Sequence, residues 1–176
     1  MSGSVLLITG ALDFAARHHI DQRRKGARGE PYINHLAEVA HLVAVATQGR
    51  DPELVAAALL HDSVEDTHAT LEEIEREFGP EIAGLVDLVT DDKSLPKEER
   101  KRLQVESAPR KPERARMLKL ADKISNLRAL HSSPPHDWPK ERQRAYVDWA
   151  CRVAEHCTGL NDYLDEQYEQ ALADLR

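Results

Sequence analysis

Aromatic side chains are scarce, only 5% of the 176 residues. With Ala, Leu, Glu and Arg recurring in their stead, the balance disfavours a β-sandwich and predicts an all-α chain of packed helices. Basic charge is also short: 24 Lys and Arg against 31 Asp and Glu leave a formal net charge of −7. Phosphate backbones are gripped by accumulated cations, so bulk electrostatics argue against a nucleic-acid polymer as partner. A local basic patch for a small phosphorylated ligand remains open. No apolar run reaches the roughly 20 residues of a membrane span, and MSGSVLLITGALDFAARHH has neither a basic leader nor a clear cleavage site. A soluble, cytoplasmic protein without membrane association is the expectation. Cysteine is limited to Cys151 and Cys157, six apart on what reads as one helix. They face different directions there, which disfavours pairing and fits a reducing compartment. No chemistry is assigned to them.

What is present suffices for one core. Hydrophobic residues make up 41% of the chain, enough to close a domain without metals or disulfides as staples. One domain is expected, with a core from about residue 5 to 160 and a last helix to about 172. A loosely helical apolar pattern from Val5 to about Arg24 ends in the basic loop QRRKGARGEPY. Asn34 caps the next helix, which Gly49 stops. Asp51, Pro52 and Glu53 then start a helix whose LVAAALL is apolar nearly all round, hence central. Thr70 with Glu73 forms a capping box, Gly79 and Pro80 separate two short helices, and residues 96–107 read as a polar helix. Arg114 to about His131 forms a second central helix containing Asp122. A final long amphipathic helix is predicted to start at Asp137, run through Leu160 and fray after Tyr168.

The candidate chemistry sits at the ends and centres of these helices. His35 opens one helix, His61 and Asp62 close the most apolar one, and Asp122 lies among core positions in LKLADKISNL. A buried carboxylate needs a partner to offset its desolvation. Imidazole with carboxylate is a ligand set suited to manganese, iron or zinc, assembled from neighbouring helices. Taken singly, a histidine is usually structural and an aspartate late in a helix usually solvated. Together, with Glu65 and Asp66 one turn further on, they gather negative charge where the helix dipole disfavours it. A bound cation explains that placement.

These residues resemble a known family. His35, the pair His61 and Asp62, and Asp122 resemble the H…HD…D signature of HD-domain metal-dependent phosphohydrolases. HDSVEDT resembles the HDxxEDT motif in the hydrolase domain of RelA/SpoT-type alarmone enzymes, RRKGARGEPYINH their RK…PYxxH segment, and LADKISNLRAL their second aspartate motif. VTDDKSLPKEERKRLQVESAP and YVDWA are similar to the stand-alone small alarmone hydrolases, including the animal type, and the length leaves no room for a synthetase domain. The resemblance implies a single HD-domain helical bundle that hydrolyses (p)ppGpp to GDP or GTP and pyrophosphate, normally with manganese. It implies a role in the stringent response. His35, His61, Asp62 and Asp122 would hold the metal, with Glu65 and Asp66 managing the attacking water and Glu65 favoured as proton acceptor.

The resemblance also carries substrate contacts. Arg24 and Lys25, in the loop before His35, would stack on the purine and meet phosphate. Tyr32 and Asn126 are carried over as nucleotide contacts, and Lys97, Arg142 and Tyr146 as residues for the distal phosphates or the base. Two departures stand out: Ala129 where long members have threonine, and Ser125 in DKISN where a histidine is commoner. They bear on a sugar or phosphate contact and are expected to touch no ligand. The alternatives are an HD phosphohydrolase for another nucleotide, such as the 2′-phosphate of NADPH, and a non-catalytic alarmone-binding module. The presence of Glu65 and Asp66 disfavours the module.

Overall fold

The computed structural model describes residues 2–175 and shows ten α-helices with no strand among those residues. In chain order they are α1 (Ser2–His18), α2 (Ile33–Ala46), α3 (Pro52–Leu60), α4 (Ser63–Asp66) and α5 (Leu71–Phe78). There follow α6 (Pro80–Val89), α7 (Lys97–Ser107), α8 (Glu113–Ser132), α9 (Lys140–Ala154) and α10 (Asp162–Ala173). The all-α expectation holds. Apolar side chains on every face put α3 at the centre: Leu54 to Leu60 are all buried, and α1, α2, α6 and α8 pack against it. No helix among the described residues is long and apolar enough to cross a membrane.

The caps read from sequence at Asp51 and Thr70 set the starts of α3 and α5. Asp51 accepts the Leu54 N–H at 3.0 Å, and Thr70 and Glu73 close their reciprocal box. Arg114 at the start of α8 also binds Asp51 (2.7 Å), Glu53 (3.1 Å) and Glu81. One guanidinium thereby ties together the N-terminal turns of α3, α6 and α8.

Several boundaries differ from expectation. Helix α1 stops at His18, and residues 19–32 form a long basic loop pinched by an isolated antiparallel bridge between Arg23 and Pro31. Its tip docks on the end of α8: a Cβ on Gly26 would meet the Ser133 carbonyl oxygen at 2.2 Å, and the Arg28 N–H donates to Ser133 Oγ at 3.0 Å. Asn34 does not cap α2, because the Asn34 and His35 amides already bond the Pro31 and Tyr32 carbonyls, starting the helix two residues earlier.

The final helix is two. Gly159, at φ 78°, turns the chain, and Asn161 caps α10 by accepting the Leu164 N–H at 3.1 Å. The apolar period runs across the break because Val153 and Leu164 are both fully buried. Tyr168 is buried as well, so α10 does not fray there. The first of these helices is capped at Pro139 rather than at Asp137, and Cys157 lies in the break while Cys151 lies on α9, both as free thiols.

Losing Asp51 removes both a cap and the Arg114 anchor. We expect Asp51→Ala to lower unfolding free energy by about 2 kcal/mol, against about 1 kcal/mol for Thr70→Ala, by urea denaturation. Equal losses would show that the Arg114 link adds nothing.

Candidate active site

The central helix ends where its chemistry begins. After Leu60 the chain turns at His61 and Asp62 before α4 starts, so Glu65 and Asp66 stand on a separate short helix rather than on a continuation of α3. His61 Nδ1 lies 2.8 Å from the Ala58 carbonyl oxygen, one of the acceptors a helix C-terminus leaves free. A carbonyl only accepts, so Nδ1 carries the hydrogen in this contact. His35 is fixed likewise through Nδ1, 2.9 Å from Ser125 Oγ. Ser125 therefore touches a site histidine, contrary to the expectation that this departure reaches no ligand. Both Nε2 atoms are buried without a hydrogen-bond partner.

Those two nitrogens face two carboxylates. Asp62 Oδ2 stands 3.2 Å from His61 Nε2 and 3.5 Å from His35 Nε2. Asp122 Oδ1 stands 3.4 Å from His35 Nε2 and 3.8 Å from His61 Nε2. Two ligands each about 2.1 Å from one ion are roughly 3.0 to 3.4 Å apart between right and tetrahedral angles. His35, His61 and Asp62 bring donor atoms within 4.8 Å of one another, a set fit to hold a divalent cation. Asp122 joins that trio through the imidazoles. The inward oxygens take further donors: the Tyr32 hydroxyl donates to Asp62 Oδ2 at 2.6 Å and the Asn126 amide to Asp122 Oδ1 at 2.6 Å, while the Lys123 ammonium donates to the other Asp122 oxygen, Oδ2, at 3.0 Å.

Charge follows geometry. Burial alone would raise both aspartate carboxyls, but the imidazoles around Asp62, and Lys123 with the imidazoles around Asp122, hold them well below the usual range. Burial likewise opposes a charge on His61, yet the two aspartates push it up to about 10. The cluster demands a positive charge at its centre.

Glu65 and Asp66 turn to different partners. Glu65 accepts the Asp91 N–H at 3.2 Å and faces Arg100 at 3.5 Å. Burial, with the Asp91 and Asp62 charges, raises its pKa. Asp66 is held by Lys93 and by the Gln22 amide at 3.1 Å.

Beside the cluster opens a cavity of about 220 Å³, lined in part by Arg24, Lys25, Tyr32, Asp66, Asn126 and Tyr146. Arg24 donates to Asn126 at 3.1 Å and lies over the Tyr32 ring, so the basic loop and α8 are joined at the cavity wall. Lys97 and Arg142 do not line it. Lys97 has its pKa lowered by partial burial and by the charges of Lys101, Arg142 and Lys25, which marks a basic cluster beside the loop.

The HD domain family model matches residues 11–153, a span that carries His35, His61, Asp62 and Asp122. The chain belongs to the HD-domain family. The human guanosine-3′,5′-bis(diphosphate) 3′-pyrophosphohydrolase MESH1 is 47% identical over 94% of this chain and 93% of its own length. The Drosophila melanogaster protein of the same name is 45% identical over 90% of this chain and 89% of its own. Among solved structures, a metazoan ortholog of SpoT described as hydrolysing ppGpp superimposes with a TM-score of 0.91 at 43% identity, covering 96% of this chain and 95% of its own.

Within this HD domain, sequence reasoning missed two neighbours of the site. Trp138 lines the cavity and carries the Arg142 guanidinium 4.5 Å over its ring. Lys123 is buried against Asp122 with its ammonium 4.4 Å from the Trp149 ring centroid. Burial opposes its charge, but Asp122 raises its pKa. Its position directly after Asp122 was the available signal. Ala129, the other departure, lies in the cavity wall and offers a methyl there.

A cation entering the HD cluster must displace the proton that Asp62 and Asp122 hold on His61. Calorimetric titration with a divalent metal in buffers of differing ionisation enthalpy should release about one proton per ion. Affinity should climb about tenfold per pH unit between pH 7 and 8. That proton stabilises the cation-free fold fully below pH 6.5, and the contribution fades as pH rises through about 10. Binding without proton release would contradict this.

Proposed function

We infer that this chain is a guanosine-3′,5′-bis(diphosphate) 3′-pyrophosphohydrolase, converting (p)ppGpp to GDP or GTP and pyrophosphate. The carrying observation is the juxtaposition of the HD cluster with a cation-lined cavity in a chain that is acidic overall. Relatives bearing that activity match nearly the whole length. We take residues 1–176 as one HD-type domain of the cytoplasm, with a small nucleotide as substrate.

His35, His61, Asp62 and Asp122 would hold the metal, for which we propose manganese, since imidazole and carboxylate ligands suit it. When bound, the ion supplies a Lewis acid that acidifies water and draws electron density from a phosphate oxygen. The remaining work falls to the side chains. Glu65 accepts the proton of the attacking water, a role its raised pKa suits. Asp66, pinned by Lys93 and Gln22 at the cavity wall, orients that water. Water adds to the phosphorus on the ribose 3′-oxygen, that P–O bond breaks, and the departing oxygen takes up a proton to become the 3′-hydroxyl.

Substrate contacts follow the walls. Arg24 stacks on the purine, with Tyr146 flanking it, and Lys25 meets phosphate. Tyr32 and Asn126 border the nucleotide while orienting Asp62 and Asp122 through their hydrogen bonds. Lys97 and Arg142 receive the distal phosphates at the rim, where like charges gather. A dianionic group relieves that repulsion.

Manganese-loaded protein incubated with ppGpp should release pyrophosphate and GDP in equal amounts. Glu65→Gln should lower kcat by about 10² to 10⁴-fold while leaving manganese affinity intact. Wild type that spares ppGpp but cleaves the 2′-phosphate of NADPH would overturn the substrate assignment. Retained turnover in Glu65→Gln would move the proton-accepting role to Asp66.

A further inference from the structure

Ser125 is fully buried, and its hydroxyl has two partners: His35 Nδ1 at 2.9 Å and Glu38 Oε2 at 2.6 Å. A hydroxyl has one hydrogen, and an ionised carboxylate only accepts. The Ser125 hydrogen is therefore committed to Glu38, so its oxygen must accept the Nδ1–H of His35. That leaves the His35 Nε2 lone pair facing Asp62 and Asp122, the form a metal ligand needs. Glu38 is itself held: its Oε1 takes the Arg128 guanidinium at 3.0 Å, and Arg128 donates to Gln167 of α10 at 2.6 Å.

The spacing builds this chain from two facing helices. His35 and Glu38 are three residues apart on α2, and Ser125 and Arg128 three apart on α8, so each pair shares a helix face. These helices pack on each other, and α10 packs on both. Gln167 lies beyond the stretch matched by the HD domain model, which ends at residue 153. A hydrogen-bonded path thus runs from the C-terminal helix to an imidazole of the cluster.

We propose that Glu38 and Ser125 are positioning residues that fix the tautomer and ring orientation of His35 for the cation, with Arg128 and Gln167 anchoring Glu38. This rests on the reading of His35 as a metal ligand. Without the Ser125 oxygen, the buried Nδ1–H has no acceptor, and the imidazole gains by moving its hydrogen to Nε2, where carboxylates wait. A hydrogen there blocks the cation.

The test measures Mn²⁺ affinity by chelator competition for wild type, Ser125→Ala, Glu38→Ala and Glu38→Gln, alongside thermal unfolding of each in chelator. Ser125→Ala and Glu38→Ala should weaken Mn²⁺ binding about 10 to 100-fold. Glu38→Gln, which keeps an oxygen acceptor for the serine hydroxyl, should recover most of that loss. Thermal midpoints in chelator should not follow the affinity order. Wild-type affinity in both alanine variants overturns the positioning role alone, as does a fallen midpoint with unchanged affinity. Failure of wild type to bind Mn²⁺ overturns the ligand reading itself, and this inference with it.

Discussion

Two imidazoles and two carboxylates, turned toward one buried point, require a positive charge between them. Each histidine hands its Nδ1 to a fixed partner, the Ala58 carbonyl for His61 and the Ser125 hydroxyl for His35, leaving both Nε2 atoms partnerless within a few ångströms of Asp62 and Asp122. A desolvated charge without compensation is costly. Much of the surrounding architecture answers that cost: Tyr32 and Asn126 donate to the carboxylate oxygens that face the imidazoles, and Lys123 donates to the outward oxygen of Asp122.

The fold supplies this arrangement by stopping helices where the chemistry needs an edge. Helix α3 is buried along its whole apolar length, and the chain leaves it at His61, which uses its ring to satisfy a terminal carbonyl. The break also separates roles. Asp62 faces inward, Glu65 on α4 reaches the Asp91 backbone, and Asp66 reaches the cavity beside Gln22. The basic loop, docked on the end of α8, brings Arg24 against Asn126 one turn past Asp122. The loop cation Arg24 and the buried acid Asp122 are thus both tied to Asn126 of α8, and a shift of that helix would disturb both.

Much of this was legible in the residues. Helical propensity and apolar period gave the all-α class, local caps at Asp51 and Thr70 gave helix starts, and the charge anomaly at His61 to Asp66 marked the site. Cap signals succeed because they act over three residues. Boundaries set by distant packing were not legible: α1 ends at His18 although its pattern continues, and the period of α9 runs on into α10 across Gly159 because both bury against one core. Ser125 read as a small residue in place of a histidine, and no local signal singled out Glu38. Their bond exists only once α2 and α8 face each other. The same holds for Trp138, drawn to the cavity wall by how residues 133–139 return from α8.

We propose that His35, His61, Asp62 and Asp122, converging on one point in space, hold one divalent ion. Anomalous diffraction at the manganese edge from crystals grown with Mn²⁺ examines that point directly. The prediction is a single strong peak within bonding distance of His35 Nε2, His61 Nε2 and one oxygen each of Asp62 and Asp122. A peak only on outlying carboxylates such as Asp91 and Asp92, or none among these four, would contradict it.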